Sequence, residues 1–172
     1  FLQREAGLSK QGRYTLLHLI LPHFPYVLRK DCSYGNADTS ALEQSRCALN
    51  MVKKVVHLLK QHDRFDNALI IVQGDHGARF KMRDGTLQNV QPQGVFSLEF
   101  SKARARALLL IKPPGSSNPQ EMLISEADSM NQDVAPTLLE AVGLSPTPGM
   151  TAKNLFGSEL VTRKTRKYYF YD

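Results

Sequence analysis

Residues 66–77 read Asp-Asn-Ala-Leu-Ile-Ile-Val-Gln-Gly-Asp-His-Gly, and this stretch decides the architecture. Asp66-Asn67 is a turn pair, residues 68–72 are an apolar run of strand length, and a short glycine-bounded polar loop follows. An apolar run without alternation is what a strand covered on both faces needs, the usual condition in a parallel sheet. Asp75 and His76 therefore come just past the carboxyl end of a strand.

Working outward, residues 14–21 (YTLLHLIL) form a second such run that stops at Pro22 and delivers His23 to the loop 22–38, PHFPYVLRKDCSYGNAD. Ser40-Ala41-Leu42-Glu43 has the form of a capping box, and Leu42, Leu49, Val52, Val56 and Leu59 repeat at helical spacing, which predicts a helix over 40–61. Residues 77–100 are polar and without clear period, as in a long surface loop or irregular hairpin. Residues 105–111 (ARALLLI) are a third buried strand closed by Lys112-Pro113-Pro114-Gly115, and a fourth short strand is placed at 122–125. In 131–143 (NQDVAPTLLEAVG), Asp133 suits a helix N-terminus, Pro136 its first turn and Gly143 its C-terminal cap. Residues 166–172 (RKYYFYD) read as an edge strand or hairpin, and 1–13 as a flexible lead-in. The alternation predicts an α/β fold with a mainly parallel sheet flanked by helices.

At 172 residues the chain fits one domain with a real core, and its 42% hydrophobic and 22% charged fractions are those of an ordinary globular protein. No apolar run approaches the roughly 18 residues that span a bilayer. The net charge of +6 favours anionic partners. Apart from a cluster at Arg163, Lys164, Arg166 and Lys167 the basic residues are dispersed, without the aromatic interleaving of single-strand binders, so nucleic acid is not expected as a partner. Cys32 and Cys47 lie outside any CxxC pattern. In an oxidising compartment they would bridge, with Cα atoms within about 7 Å; otherwise they are two separate buried thiols.

In open α/β sheets ligands bind beyond the carboxyl ends of the strands, where His23, Asp75 and His76 all fall and are expected to converge. A carboxylate beside an imidazole is a partial ligand set for Zn²⁺ or Mn²⁺. His18, inside an apolar run, reads by itself as a hydrogen-bonded core histidine, and Asp75-His76 alone also suits a capped turn with a surface histidine. There is no GxSxG elbow, P-loop or GxGxxG, which removes the main competing α/β chemistries.

Several segments, in order over roughly residues 14–170, resemble one family. ALIIVQGDHG is similar to the strand and Asp-His-Gly motif of the alkaline phosphatase superfamily, and LLHLILPHFPY to the H-x4-H-x-P and PH-x-P segments of its phosphoethanolamine transferases and sulfatases. SRCALNMVKKVVHLLKQHDRFDNALIIV resembles the helix and strand before the metal motif; RALLLIKPPG, NQDVAPTLLEAVGL and GMTAKNLFG resemble the later strand, helix and closing element.

The resemblance implies that Asp75 and His76 bind the catalytic divalent metal (Zn, Mn or Ca). It implies that His23, with His18 as its neighbour, lies near the phosphoryl or sulfuryl oxygens of an anionic phosphate- or sulfate-ester substrate, such as a lipid or glycan head group, or near a second metal. Arg79 and Lys81, just past His76, read either as cationic contacts to that anion or as solvated surface charge. In such enzymes an activated hydroxyl attacks phosphorus or sulfur. Two departures qualify this. The family's nucleophile and a further acidic ligand stand well upstream of the PH-x-P strand, whereas 22 residues precede His23 here, so the chain reads as the C-terminal part of a sulfatase-like domain whose N-terminal part is its partner. Gln88 stands where the transferases carry a further histidine, leaving sulfatase-like and phosphoglycerol-transferase-like readings open. The alternative is a non-catalytic lipid-binding or regulatory module of the same fold. Either is expected at the periplasmic or extracellular face of a membrane.

Overall fold

Ser40 begins the longest element. Its side chain accepts a hydrogen bond from the Glu43 backbone N–H at 3.2 Å, satisfying one of the donors a helix N-terminus leaves over. The helix it caps (α2) runs Ala41–Gln61, in agreement with the 40–61 expected. This computed structural model describes residues 2–7, 12–35, 39–77, 80–83, 86–89, 103–115, 122, 124–125 and 127–156. They fall into two units, residues 1–68 and 69–172.

In the first unit a short helix, α1 (Leu2–Ala6), occupies part of the expected lead-in. The fully buried face of α2 is Ala41, Gln44 and Cys47, while Leu42 and Leu49 are 43% and 46% exposed. This differs from the expected apolar stripe for a local reason: the first half of α2 covers the loop after His23, and that loop offers backbone polar groups. Gln44 Oε1 accepts from the Val27 and Leu28 amides at 2.8 and 3.1 Å, its Nε2 donates to the His23 carbonyl at 2.6 Å, and Asn50 Nδ2 donates to the Lys30 carbonyl at 2.7 Å. Cys47 bridges to Cys32 with Cα atoms 5.0 Å apart, as expected in an oxidising compartment. The loop itself closes as a small hairpin, with a Leu28–Tyr34 antiparallel bridge and the Gly35 amide bonded to the Val27 carbonyl. Cys32 at its turn has φ 68°.

Residues 14–21 were expected as a strand buried on both faces. They form no ladder among the described residues, and Tyr14, Leu16 and Ile20 are 73%, 75% and 73% exposed. A strand is buried only by neighbours on both edges and both faces, and an apolar run carries no information about whether those are at hand.

In the second unit β1 (Ile70–Gln73) pairs antiparallel with β4 (Leu109–Lys112), with Ile70 opposite Lys112 and Gln73 opposite Leu109. Between them in sequence, β2 (Phe80–Arg83) and β3 (Thr86–Asn89) pair antiparallel, so the irregular stretch contains a hairpin. Both pairings are antiparallel, and the mainly parallel sheet expected from strand and helix alternation is not seen among the described residues. Alternation fixes the order of elements, whereas strand direction depends on crossovers that local sequence does not specify. At positions 122, 124 and 125 no strand forms, with Met122 74% and Ile124 83% exposed. Residues 166–172 and the basic cluster lie outside the described residues.

The second expected helix is present in two parts, a 3₁₀ turn over Asn131–Asp133 and α3 over Val134–Ala141. Pro136 falls in the first turn of α3, where its missing N–H costs nothing, and Gly143 follows the helix at φ 76°. Asp133 is fully buried and ties the turn down, one oxygen accepting from the Met130 amide at 2.7 Å and the other from the Lys153 amide at 3.0 Å. Thr137 Oγ1 donates to the Asp133 carbonyl at 2.6 Å and accepts from the Leu155 amide at 2.9 Å. Among the described residues the buried apolar side chains are few, Ala41, Cys47, Phe65 and Pro136, so the core expected from length is not found there. No helix of the described residues is long and apolar enough to cross a membrane.

Candidate metal-binding site

The loop 74–77 continues β1 and is strapped to the chain that leads into β4. The Gly74 amide bonds to the Leu108 carbonyl at 2.9 Å, extending the ladder by one residue, and the Gly77 amide bonds to the Arg104 carbonyl at 2.6 Å. Gly77 is buried, and a Cβ there would run into the carbonyls of Ala103 and Arg106, the latter at 2.6 Å. Only glycine fits that approach. A third tie comes from the 3₁₀ turn: Asn131 Nδ2 donates to the Gly74 and Asp75 carbonyls at 3.1 and 2.7 Å.

On this strapped loop Asp75 and His76 project into solvent, their side chains 89% and 44% exposed. Asp75 Oδ1 accepts from the His76 amide at 3.0 Å, which turns the carboxylate back toward the imidazole. His76 Nδ1 lies 2.7 Å from the Gly77 carbonyl oxygen. A carbonyl can only accept, so Nδ1 carries a proton, and Nε2 is the nitrogen that offers a lone pair whenever the ring is neutral. This is the second-shell arrangement that metal-binding histidines use. Nε2 stands 3.7 Å from Asp75 Oδ2. That is too far for a hydrogen bond and close to the ~3.4 Å between two ligands of a tetrahedral ion with bonds of about 2.0–2.1 Å.

The donor set therefore fits a divalent ion as one edge of its coordination sphere. One imidazole nitrogen and one carboxylate oxygen suit Zn²⁺ or Mn²⁺ better than Ca²⁺, which takes oxygen ligands. No group of three or more His, Cys, Asp or Glu is assembled among the described residues, so these two supply part of a site.

His23 belongs to the first unit and is exposed. Its Nδ1 bonds to the Phe24 carbonyl, the same next-residue arrangement as at His76. Gln44 fixes its backbone through the carbonyl. His18 lies exposed in the extended segment before it. Arg79 lies outside the described residues, and of Lys81 only the backbone, in β2, is described. Two residues that hold these loops escaped the sequence reading. Gln44 carried a signal, since it falls in phase with Ala41 and Cys47; Asn131 carried none. No family model, curated protein or solved structure matches the chain.

Proposed function

We propose that this chain is the metal-binding C-terminal portion of a sulfatase-like hydrolase or transferase acting on phosphate or sulfate esters, a member of the alkaline phosphatase superfamily. The observation that carries the reading is the Asp75-His76 pair at the end of β1, with Nε2 of His76 freed by the Gly77 carbonyl and set 3.7 Å from Asp75 Oδ2. The ordered motifs from residue 14 onward support it. A bound divalent ion would supply charge neutralisation at the ester oxygens and lower the pKa of a coordinated hydroxyl.

This chain's own residues hold and orient. Asp75 and His76 present one carboxylate oxygen and one imidazole nitrogen, and the loop straps hold the backbone from which both project. By the resemblance, His23 would serve a phosphoryl or sulfuryl oxygen, and His18, Arg79 and Lys81 the anionic ester. In such an enzyme the nucleophile and the remaining acidic ligand would have to be supplied by residues other than these. The Cys32–Cys47 bridge supports a periplasmic or extracellular setting, since disulfides persist in oxidising compartments.

The test is turnover of a chromogenic phosphate monoester, phosphate diester and sulfate ester with added Zn²⁺ or Mn²⁺, by this chain and by the protein with its upstream segment. The chain alone is expected to give no rate above background, because loss of a nucleophile costs orders of magnitude. The longer protein should turn over at least one ester in a metal-dependent way that Asp75→Ala abolishes. Metal-dependent turnover by the chain alone, lost in Asp75→Ala, would place the nucleophile within these 172 residues. Inactivity of the longer protein on all three esters would favour the non-catalytic module.

A further inference from the structure

Asn131 is 56 residues from Asp75, yet its side-chain amide reaches the loop that carries both candidate ligands. The two amide hydrogens have separate targets, the Gly74 carbonyl at 3.1 Å and the Asp75 carbonyl at 2.7 Å. Those carbonyls belong to the peptide planes on either side of the Asp75 Cα. Holding both planes fixes φ and ψ of Asp75 together, and with them the direction of its Cα–Cβ bond. The second plane also carries the His76 amide, so the same grip sets where the imidazole begins.

Asn131 can exert this grip because its own backbone is held. It opens the 3₁₀ turn that ends at Asp133, and the buried carboxylate of Asp133 binds the Met130 amide on one side of the turn and the Lys153 amide beyond α3. Thr137 closes the arrangement by bonding to the Asp133 carbonyl and the Leu155 amide. A rigid corner thus presents one forked donor to an otherwise exposed loop. The other straps, from the Gly74 amide to Leu108 and from the Gly77 amide to Arg104, flank Asp75 without bonding its own amide or carbonyl. The bonds of Asn131 are solvent-exposed, so water can replace them at small cost to folding. What water cannot replace is the fixed direction.

We propose that Asn131 is the positioning residue of the metal-ligand loop, setting the geometry of Asp75 and His76 through their backbone. The inference rests on the reading of that pair as metal ligands. Groups that orient ligands in this way typically change metal affinity by about 10–100-fold when removed. The probe is Mn²⁺ alone, titrated into the ¹⁵N,¹³C-labelled full chain, with paramagnetic broadening of the His76 ring signals as the readout beside the thermal midpoint of each variant.

Asn131→Ala and the near-isosteric Asn131→Asp, which lacks the donors, should each require about tenfold more Mn²⁺ for half-broadening. Their thermal midpoints should stay close to wild type. Asn154→Ala, which removes a side-chain bond to Glu140 elsewhere in the same unit, should broaden as wild type does. Wild-type broadening that is unchanged in both Asn131 variants would overturn the positioning role alone. Absence of broadening at His76 in wild type would overturn the metal reading and the positioning role with it. A metal response that falls equally in Asn154→Ala would show a general loss of stability and would also overturn the role.

Discussion

Replacing Gln44 tests what holds the first unit together. The side chain is 1% exposed and makes three hydrogen bonds to backbone, at 2.8 and 3.1 Å to the Val27 and Leu28 amides and at 2.6 Å to the His23 carbonyl. A net contribution of about 1 kcal/mol for each bond gives roughly 3 kcal/mol for Gln44→Ala, before any cavity left by the stem. For cooperative unfolding of the whole 172-residue chain that corresponds to a fall of roughly 6–12 °C in the thermal midpoint. The informative comparison is Gln44→Leu, which restores volume but leaves two amides and one carbonyl without partners. If hydrogen bonding is the cause, Leu is as damaging as Ala. Gln44→Glu keeps an acceptor for the two amides but sets a buried carboxylate oxygen against the His23 carbonyl, so it should not rescue stability either. The assay is thermal unfolding followed by circular dichroism, with hydrogen exchange at Val27 and Leu28 to localise the change. Rescue by leucine, or a change of less than about 1 °C in Gln44→Ala, would refute the assignment of stability to these bonds.

Two further outcomes follow from geometry. Cys32→Ser with Cys47→Ser opens a bridge across a separation of 15 residues, and on the chain-entropy account this should cost about 3 kcal/mol in denaturant unfolding; a midpoint equal to that of the oxidised wild type would contradict it. Gly77→Ala puts a methyl group into two backbone carbonyls that cannot move aside, so unfolding should show a loss of about 1–3 kcal/mol together with weaker Mn²⁺ broadening at His76, and a silent substitution would mean the close approach is absent in solution.

The parts legible in the sequence were those fixed by local chemistry. Ser40 three residues before Glu43 marked the start of α2, Pro136 and Gly143 bracketed α3, and the apolar run before Gln73 marked β1. What local chemistry does not encode is which partner an element meets. Leu42 and Leu49 followed helical spacing, yet the buried face of α2 turned to Gln44 and Cys47 because a loop rich in backbone polar groups lies over it. The run 14–21 had the composition of a buried strand and is exposed, and the partner of β1 runs antiparallel, which its sequence could not show. At the candidate site, the adjacency of Asp75 and His76 was readable because it is a feature of the sequence itself. Asn131 was not, because its two bonds cross 56 and 57 residues of chain and an asparagine before a helix is an ordinary sight.

The central claim is that Asp75 and His76 together hold a divalent ion, and zinc K-edge X-ray absorption on the zinc-equilibrated chain tests it directly. The claim predicts nitrogen and oxygen neighbours at about 2.0–2.1 Å with the multiple-scattering signature of an imidazole, and loss of that signature in His76→Ala. The same spectrum from an Asp75→Ala, His76→Ala double variant would put the metal on other residues and contradict the claim.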